Sequence, residues 1–250
     1  MCTVTVVPIA ARPGGSHDTN SRVVRIACNR DELRTRPIAL PPRMQSFGAR
    51  RAILPIDPAS GGTWIALSDV GVLLTVLNVN VNNGVRRDAI RPGELRSRGT
   101  IIPELLALDS LEAIAAAAAR LSPSRYPPFR LLIINQTRVG DLYSDGRELR
   151  YTSRDLIDDS RSCSSARGAS ASGRCELSAH RPEADAPPGA IADVLSGARP
   201  FFYTSSGLGD SLVDAPRREL FERSFSPPLS SPTATQDAFH RHSWPDRRHL

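Results

Sequence analysis

The sequence predicts an α+β fold, and three observations support this class. Residues 2–9 and 22–28 alternate β-branched residues with the two-residue period of strands. Residues 99–108 and 110–121 have the length and apolar spacing of helices, and further strand-like stretches follow them. Strands and helices that occupy separate runs of a chain favour an α+β arrangement.

The first third of the chain is predicted to consist of strands and loops. Pro13-Gly14-Gly15 marks a turn, so we expect the first two strands to pair as an antiparallel hairpin. Residues 33–62 contain several prolines and few periodic apolar positions, which predicts a long irregular segment. Residues 63–68 and 71–80 predict a second hairpin.

The remaining elements follow from local signals. Asp109 is the expected cap of the second helix, because Glu112 three residues later completes a capping-box pattern. Pro216 in a first turn predicts a late helix over residues 214–225. Further strands are predicted over residues 129–135, 138–144, 148–152 and 200–204, and a short helix over 191–195.

The composition predicts a single domain over residues 1–250 with two irregular parts. Residues 153–188 are rich in Ser, Arg, Ala, Asp and Pro with few large apolar side chains, so we expect a low-complexity, disordered insert. Residues 226–250 show no clear pattern and are expected to form an irregular tail.

Charge and cysteine content argue against several functional classes. The net charge is +6, and the charged basic residues of the chain are all Arg. These Arg residues are scattered along the sequence, and only 5% of the residues are aromatic, which argues against nucleic-acid binding. The four cysteines form no CxxC pair, so neither a disulfide framework nor a zinc site is expected. No apolar stretch is long enough to span a membrane and no secretory leader is visible, so we expect a cytoplasmic protein.

Met1-Cys2 at the start of the first strand suggests a nucleophile. Removal of Met1 would leave a thiol and an α-amine on Cys2, and the amine could accept the thiol proton near neutral pH. The alternative is that Cys2 is simply a small apolar strand residue.

Several blocks together carry a family resemblance: the Met-Cys start, Asn29-Arg30-Asp31-Glu32, Gly61-Gly62-Thr63-Trp64 and the strand ending in Asn78. They resemble the NRDE family, also called the transport and Golgi organisation protein 2 family, best over residues 1–80. That family is similar to the N-terminal-nucleophile hydrolases, with choloylglycine hydrolase and penicillin V acylase nearest in pattern. The resemblance implies a four-layer αββα sandwich.

The resemblance also implies roles for residues that follow the second strand. Asp31 matches the Asp that orients the α-amine of the nucleophile in the acylases. These relatives carry an Arg three residues earlier, where this chain has Cys28. Arg30 is expected to supply a positive charge instead, from the opposite face of the strand. Without the resemblance, residues 30–32 are better explained as a solvated charged turn with a local ion pair.

Two further residues match oxyanion donors of the relatives. Asn78 ends a strand, as does an Asn of those enzymes that donates to the oxyanion. Ser205 takes the place of a second donor Asn, in the block Tyr203-Thr204-Ser205. The alternative for Asn78 is a strand-terminating residue in a turn-rich run.

These features predict a cysteine amidohydrolase that acts on a linear amide and needs no metal or organic cofactor. The competing interpretation is a non-catalytic protein that binds or transfers haem or a lipid on the same fold. His240, His242 and His249 could bind a metal, but they are more simply explained as part of a mobile tail. The sequence carries no signal for an oligomeric state.

Overall fold

The computed structural model describes residues 2–10, 22–30, 35–80, 95–156, 200–205, 210–226 and 231–244. The strands in these ranges are β1 (Cys2–Ala10), β2 (Arg22–Arg30), β3 (Leu40–Phe47), β4 (Arg50–Ile56), β5 (Ile65–Ser68), β6 (Leu73–Asn78), β7 (Phe129–Ile134), β8 (Arg138–Ser144), β9 (Leu149–Asp155) and β10 (Phe201–Ser205). The α-helices are α1 (Ile101–Leu105), α2 (Leu111–Ala118), α3 (Asp210–Ser224) and α4 (Pro232–His240). None of these helices combines the length and apolar character needed to cross a membrane.

The strands form two antiparallel sheets. The small sheet has the order β10-β1-β2, so β1 lies at its centre. The large sheet has seven strands in the sequential order β3 to β9. The predicted pairing of β1 with β2 and the hairpin of β5 with β6 are confirmed.

Three apolar clusters show how the layers stack. One lies between the large sheet and helices α1 and α2, and includes Leu74, Ile102 and Phe129. A second lies between the two sheets and includes Cys2, Val4 and Leu77. The third lies between the small sheet and helices α3 and α4, with members such as Val7, Phe202, Phe221 and Phe239. Helices therefore cover the outer face of each sheet, which confirms the α+β class and the αββα order.

The prediction of an irregular segment over residues 33–62 was wrong for most of its length. Strands β3 and β4 form a hairpin there, with Gly48 at a φ of 62° in the connecting turn. Pro41 and Pro42 are tolerated because β3 is an edge strand whose register shifts between Leu40 and Arg43. Pro41 and Pro42, which suggested a loop, therefore mark the border of the large sheet.

The two predicted irregular regions also need correction. Strand β9 continues to Asp155, and the following Leu156 is fully buried between the sheets, so the insert cannot begin at residue 153. Residues 157–188, like the helix predicted over 191–195, lie outside the described residues. Within the expected tail, α4 is a nine-residue helix whose Phe239 is buried.

The middle helices lie where the sequence predicted them, with a different cap. Ser110, rather than Asp109, accepts a hydrogen bond from the backbone N–H of Ala113 at the start of α2. A short 3-10 turn over Arg98–Thr100 precedes α1. The prediction of a late helix is also confirmed, and α3 begins earlier than predicted, with Pro216 inside it.

Candidate active site

The strand register brings three of the predicted site residues together. Cys2 lies directly opposite Arg30 of β2 on one side and opposite Ser205 of β10 on the other. Directly paired residues of antiparallel strands project from the same face of a sheet, with Cβ atoms about 4.5–5.5 Å apart. The three residues therefore form one row across the small sheet, on the face that packs against the large sheet.

The row lies at the N-terminal end of the central strand. Cys2 itself is 8% exposed, and its neighbours in the inter-sheet cluster include Val4 and Leu77. Met1 precedes it and lies outside the described residues. Its removal would place the α-amine at the end of the row.

Arg30 is on a different face from the one expected. Because Arg30 pairs with Cys2 and Cys28 pairs with Val4, both side chains share the inter-sheet face with the nucleophile candidate. The guanidinium of Arg30 lies over the ring of Trp64, 4.1 Å from its centroid, and 3.5 Å from a carboxylate oxygen of Asp57. It therefore links the small sheet to the large one beside Cys2.

Asp57 is the carboxylate that holds this end of the site. It is 5% exposed, forms ion pairs with Arg36 and Arg30, and accepts hydrogen bonds from Ser60 Oγ at 2.9 Å and from the N–H of Ala59 at 3.1 Å. Burial acts to raise its pKa, but the bonds from Arg36, Ser60 and Ala59 outweigh burial, so the pKa of Asp57 lies below its usual value. Asp57 is thus a stable anion that fixes the position of Arg30.

Ser205 carries a buried hydroxyl group. The residue is 1% exposed, and within the described parts of the chain its Oγ has no hydrogen-bond partner. Leaving a buried hydroxyl unpaired costs about 1–3 kcal/mol. Its neighbour Thr204 points to the other face, where its Oγ donates to the carbonyl of Cys2 at 3.3 Å.

A second polar group lies on the inter-sheet face, two residues along β10. Tyr203 is buried beneath the guanidinium of Arg130, which is 5.6 Å from the ring centroid and 3.2 Å from Asp141. Burial, reinforced by the charge of Asp141, raises the pKa of Tyr203 to about 12. Burial also raises the pKa of Asp141, despite Arg130 and Arg154 nearby. Tyr203 is therefore a neutral phenol that can donate a hydrogen bond.

The other two predicted site residues are not brought into the row. Asn78 is exposed and pairs with Phe129, which faces α1 and α2, so the alternation of β6 places Asn78 on the face away from Leu77 and Cys2. Asp31 follows Arg30 directly but lies outside the described residues, so its role stays a prediction.

The histidines considered as metal ligands have other surroundings. Nε2 of His240 is hydrogen-bonded to Thr5 Oγ1 at 2.7 Å. Among the described residues, no group of three His, Cys, Asp or Glu side chains is arranged to hold a metal ion. His249 lies outside them.

Sequence reasoning missed Asp57 and the contribution of Trp64. The available signal was an acidic residue that follows the apolar strand β4 and precedes Gly61-Gly62-Thr63-Trp64. Nothing in that spacing indicates that Asp57 meets Arg30 of a different sheet, because the contact depends on how the sheets stack.

The fold is an αββα sandwich that has Cys2 at the start of the central strand of its small sheet. The model of the family described as Transport and Golgi organisation 2 matches residues 8–178. This is more than half of the chain, which therefore belongs to that family.

The comparison with solved structures finds a more distant similarity. A structure of penicillin V acylase from Agrobacterium tumefaciens shares 12% sequence identity with the chain, with a TM-score of 0.28. The similar region covers 62% of this chain and 41% of that one, so the chain matches about two fifths of the length of that enzyme. No curated protein matches the chain.

Proposed function

We propose that this protein is an N-terminal cysteine amidohydrolase that acts on a linear amide. The observation that supports the proposal most directly is the row of Ser205, Cys2 and Arg30 across the small sheet. It combines a thiol, a fixed cation and a buried hydroxyl on the face of the sheet from which the thiol projects.

Each member of the row has a role in this proposal. After removal of Met1, the α-amine of Cys2 accepts the thiol proton, and the thiolate attacks the amide carbon to form a C–S bond. Arg30 favours the thiolate, as cationic neighbours do for reactive cysteines. Ser205 donates to the oxyanion in place of Asn78, and Asp31 orients the amine. The C–N bond then breaks as the ammonium gives its proton to the leaving amine, and water hydrolyses the thioester.

Intact mass and turnover test this proposal. The mature protein is expected to lack Met1 and to cleave N-acyl p-nitroanilides, and Cys2→Ala is expected to abolish cleavage. Cys28→Ala is the matched control, because Cys28 shares the same sheet face two strand positions from Arg30. Retention of Met1 in the isolated protein, or cleavage that survives Cys2→Ala, would refute the proposal.

A second candidate is a carrier of a hydrophobic ligand such as haem or a lipid. The specific observation is a row of exposed apolar side chains, Met44, Ile53 and Leu67, paired across β3, β4 and β5. Leu67 pairs with Leu73, which packs between the sheets, so the row extends the inter-sheet apolar face onto open strands. A carrier should show saturable haem binding by its Soret band without any acyl-enzyme burst. Absence of binding to haem and to fatty-acid vesicles would exclude this candidate.

We further propose a cytoplasmic location, in keeping with the thiol state of Cys2 and Cys28. Fractionation of the producing cells tests this, and recovery of the chain outside the cytoplasm would contradict it.

A further inference from the structure

A cavity of about 230 Å³ lies on the face of the small sheet opposite to Cys2. Thr3 and Asn29, which are paired across β1 and β2, line it from the sheet. Arg217 of α3 lines it as well, and the remaining described lining residues belong to the end of α4 and the segment after it: Phe239, His240, Arg241, His242 and Trp244.

Hydrogen bonds fix the two helices that form the cavity. Arg217 is 3% exposed and donates through Nη1 to Thr3 Oγ1 at 2.6 Å and to Thr204 Oγ1 at 3.3 Å. On α4, the fully buried Gln236 donates to Thr5 Oγ1 at 2.8 Å, and Asn29 Nδ2 donates to the carbonyl of His240 at 2.8 Å. The cavity is therefore bounded by side chains that are already held in place.

The lining is basic. Every ionisable side chain among the described lining residues is an Arg or a His, and none is acidic. Burial, together with the charge of Arg25, lowers the pKa of His240 to about 4, although Asp237 acts in the opposite direction. At neutral pH His240 is therefore uncharged, and the guanidinium groups of Arg217 and Arg241 carry the positive charge.

The positive charge of Arg217 and Arg241 favours an anion in the cavity, and the nearby C-terminal end of α4 does not reverse this preference. A helix C-terminus carries partial negative charge on its last carbonyl groups. Here the carbonyls of Asp237 and Phe239 accept from the backbone N–H groups of Arg241 and His242, and that of His240 accepts from Asn29. Hydrogen bonds from guanidinium groups to an anion are stronger than this residual dipole effect.

From the cavity and its lining, we propose that this protein binds a small oxyanion, a carboxylate or a phosphate, between α3 and the end of α4. This site is separate from the proposed hydrolytic row, because alternation along β1 puts Thr3 and Cys2 on opposite faces. Trp244 lies 5.7 Å from the Arg217 guanidinium, measured to its ring centroid, so its fluorescence should report binding.

The test titrates the full-length protein with inorganic phosphate and, separately, with benzoate, by calorimetry and by tryptophan fluorescence. At least one probe is expected to bind saturably, and the responding probe identifies the oxyanion as a phosphate or a carboxylate. Arg217→Gln should weaken binding at least about tenfold, and Arg241→Gln about threefold, since hydrogen bonds to charged groups are strong. Trp244→Phe should remove the fluorescence change, and binding should persist in Cys2→Ala.

Arg218→Gln is the matched control. Arg218 is the next residue of α3, forms an ion pair with Asp214 at 2.9 Å, and is not among the lining residues. The control should bind like the unmodified protein. Because Arg217 is buried and its variant could fail to fold, exposed Arg241 provides the second, independent variant. The proposal would be overturned if neither phosphate nor benzoate bound saturably. It would also be overturned if Arg218→Gln weakened binding as much as Arg241→Gln does.

Discussion

Replacing Arg30 by Gln should raise the pH at which Cys2 becomes reactive. Arg30 lies directly opposite Cys2, its side chain is 13% exposed, and its position is fixed by Trp64 and Asp57. Gln retains a polar side chain of similar reach but removes the positive charge. Asp57 keeps Arg36 as an ion-pair partner in the variant, so the fold should be preserved.

The magnitude follows from the register and the ion pair. A guanidinium about 6 Å from the sulfur stabilises a thiolate by about 2.8 kcal/mol at an effective dielectric constant of about 20. Asp57 and its ion pair with Arg36 are present in both proteins, so the effect of this carboxylate on the thiolate cancels in the comparison. The loss of about 2.8 kcal/mol therefore corresponds to a rise of about 2 pH units in the reactivity midpoint.

Alkylation by iodoacetamide between pH 5 and pH 10 measures this midpoint. Peptide mass spectrometry separates Cys2 from the other three cysteines at 28, 163 and 175. A more basic thiolate is also more nucleophilic, so the rate below the midpoint should fall only about tenfold although the thiolate fraction falls about 100-fold, and the midpoint is the sharper readout. Arg30→Lys should keep most of the effect, because it keeps the charge.

Arg25→Gln is the matched control for net charge. Arg25 lies on the same strand but pairs with Val7 and forms its ion pair with Asp237 of α4, on the other face of the sheet. Its loss should leave the alkylation midpoint of Cys2 within about 0.2 unit, since charges this distant are largely screened. An unchanged midpoint in Arg30→Gln, in mature protein whose mass confirms the loss of Met1, would refute the assigned role.

Three further predictions address the hydroxyl, the buried histidine and a close backbone approach. Ser205→Ala should lower amide turnover at least about tenfold, because it removes the proposed oxyanion donor. The melting temperature should stay equal or rise, because the hydroxyl that is lost is buried without a described hydrogen-bond partner. A clear loss of stability would instead indicate that the hydroxyl forms a structural hydrogen bond. His240 has a pKa of about 4 in the folded protein, below the reference value of 6.5, so the unfolded state binds the proton first. The free energy of unfolding should therefore fall as the pH drops from 6.5 towards 4. His240→Gln should make the free energy of unfolding, measured by urea titration, depend less on pH in this range, and an unchanged pH dependence would contradict the prediction. Gly62→Ala would place a Cβ 2.5 Å from the backbone carbonyl carbon of Gly99, so a loss of about 1–3 kcal/mol is expected, and an unchanged melting temperature would show that the loops separate easily.

The sequence predicted the strands whose pattern is set by burial. β1 alternates Val4 and Val6, which lie between the sheets, with Thr3 and Thr5, which face α3 and α4. That alternation is local, so it is visible in the sequence. The same logic identified the hairpin of β5 and β6, because two-residue periods and turn signals do not depend on distant partners.

Helix α4 was missed because polar contacts, rather than a broad apolar stripe, attach much of it to the sheet. Gln236 is fully buried and donates to Thr5, while Asp237 forms an ion pair with Arg25 at 2.8 Å. In the sequence these residues indicate a solvated segment. Their partners lie more than 200 residues away, so no local pattern could show that they are satisfied.

The candidate site shows the same limit. The resemblance suggested Cys2, Arg30 and Ser205 as site residues, and the register places them in one row. It could not show that Asn78 lies on the other face of the large sheet, or that Asp57 holds Arg30, because both depend on the packing of one sheet against the other. Residue identity is local information, whereas the face and the partner of a side chain are set by tertiary structure.

The two faces of the small sheet have different surroundings, and this difference follows from the two-residue period of β1. Its inter-sheet face presents Cys2 to Arg30 and Ser205, while its outer face uses Thr3 and Thr5 to attach α3 and α4. Thr204 connects the outer face to the backbone of Cys2, because it accepts a hydrogen bond from Arg217 and donates one to the carbonyl of Cys2. The Arg217 guanidinium that would hold the proposed oxyanion is therefore two hydrogen bonds from the backbone of Cys2, although the side chains of Thr3 and Cys2 point in opposite directions.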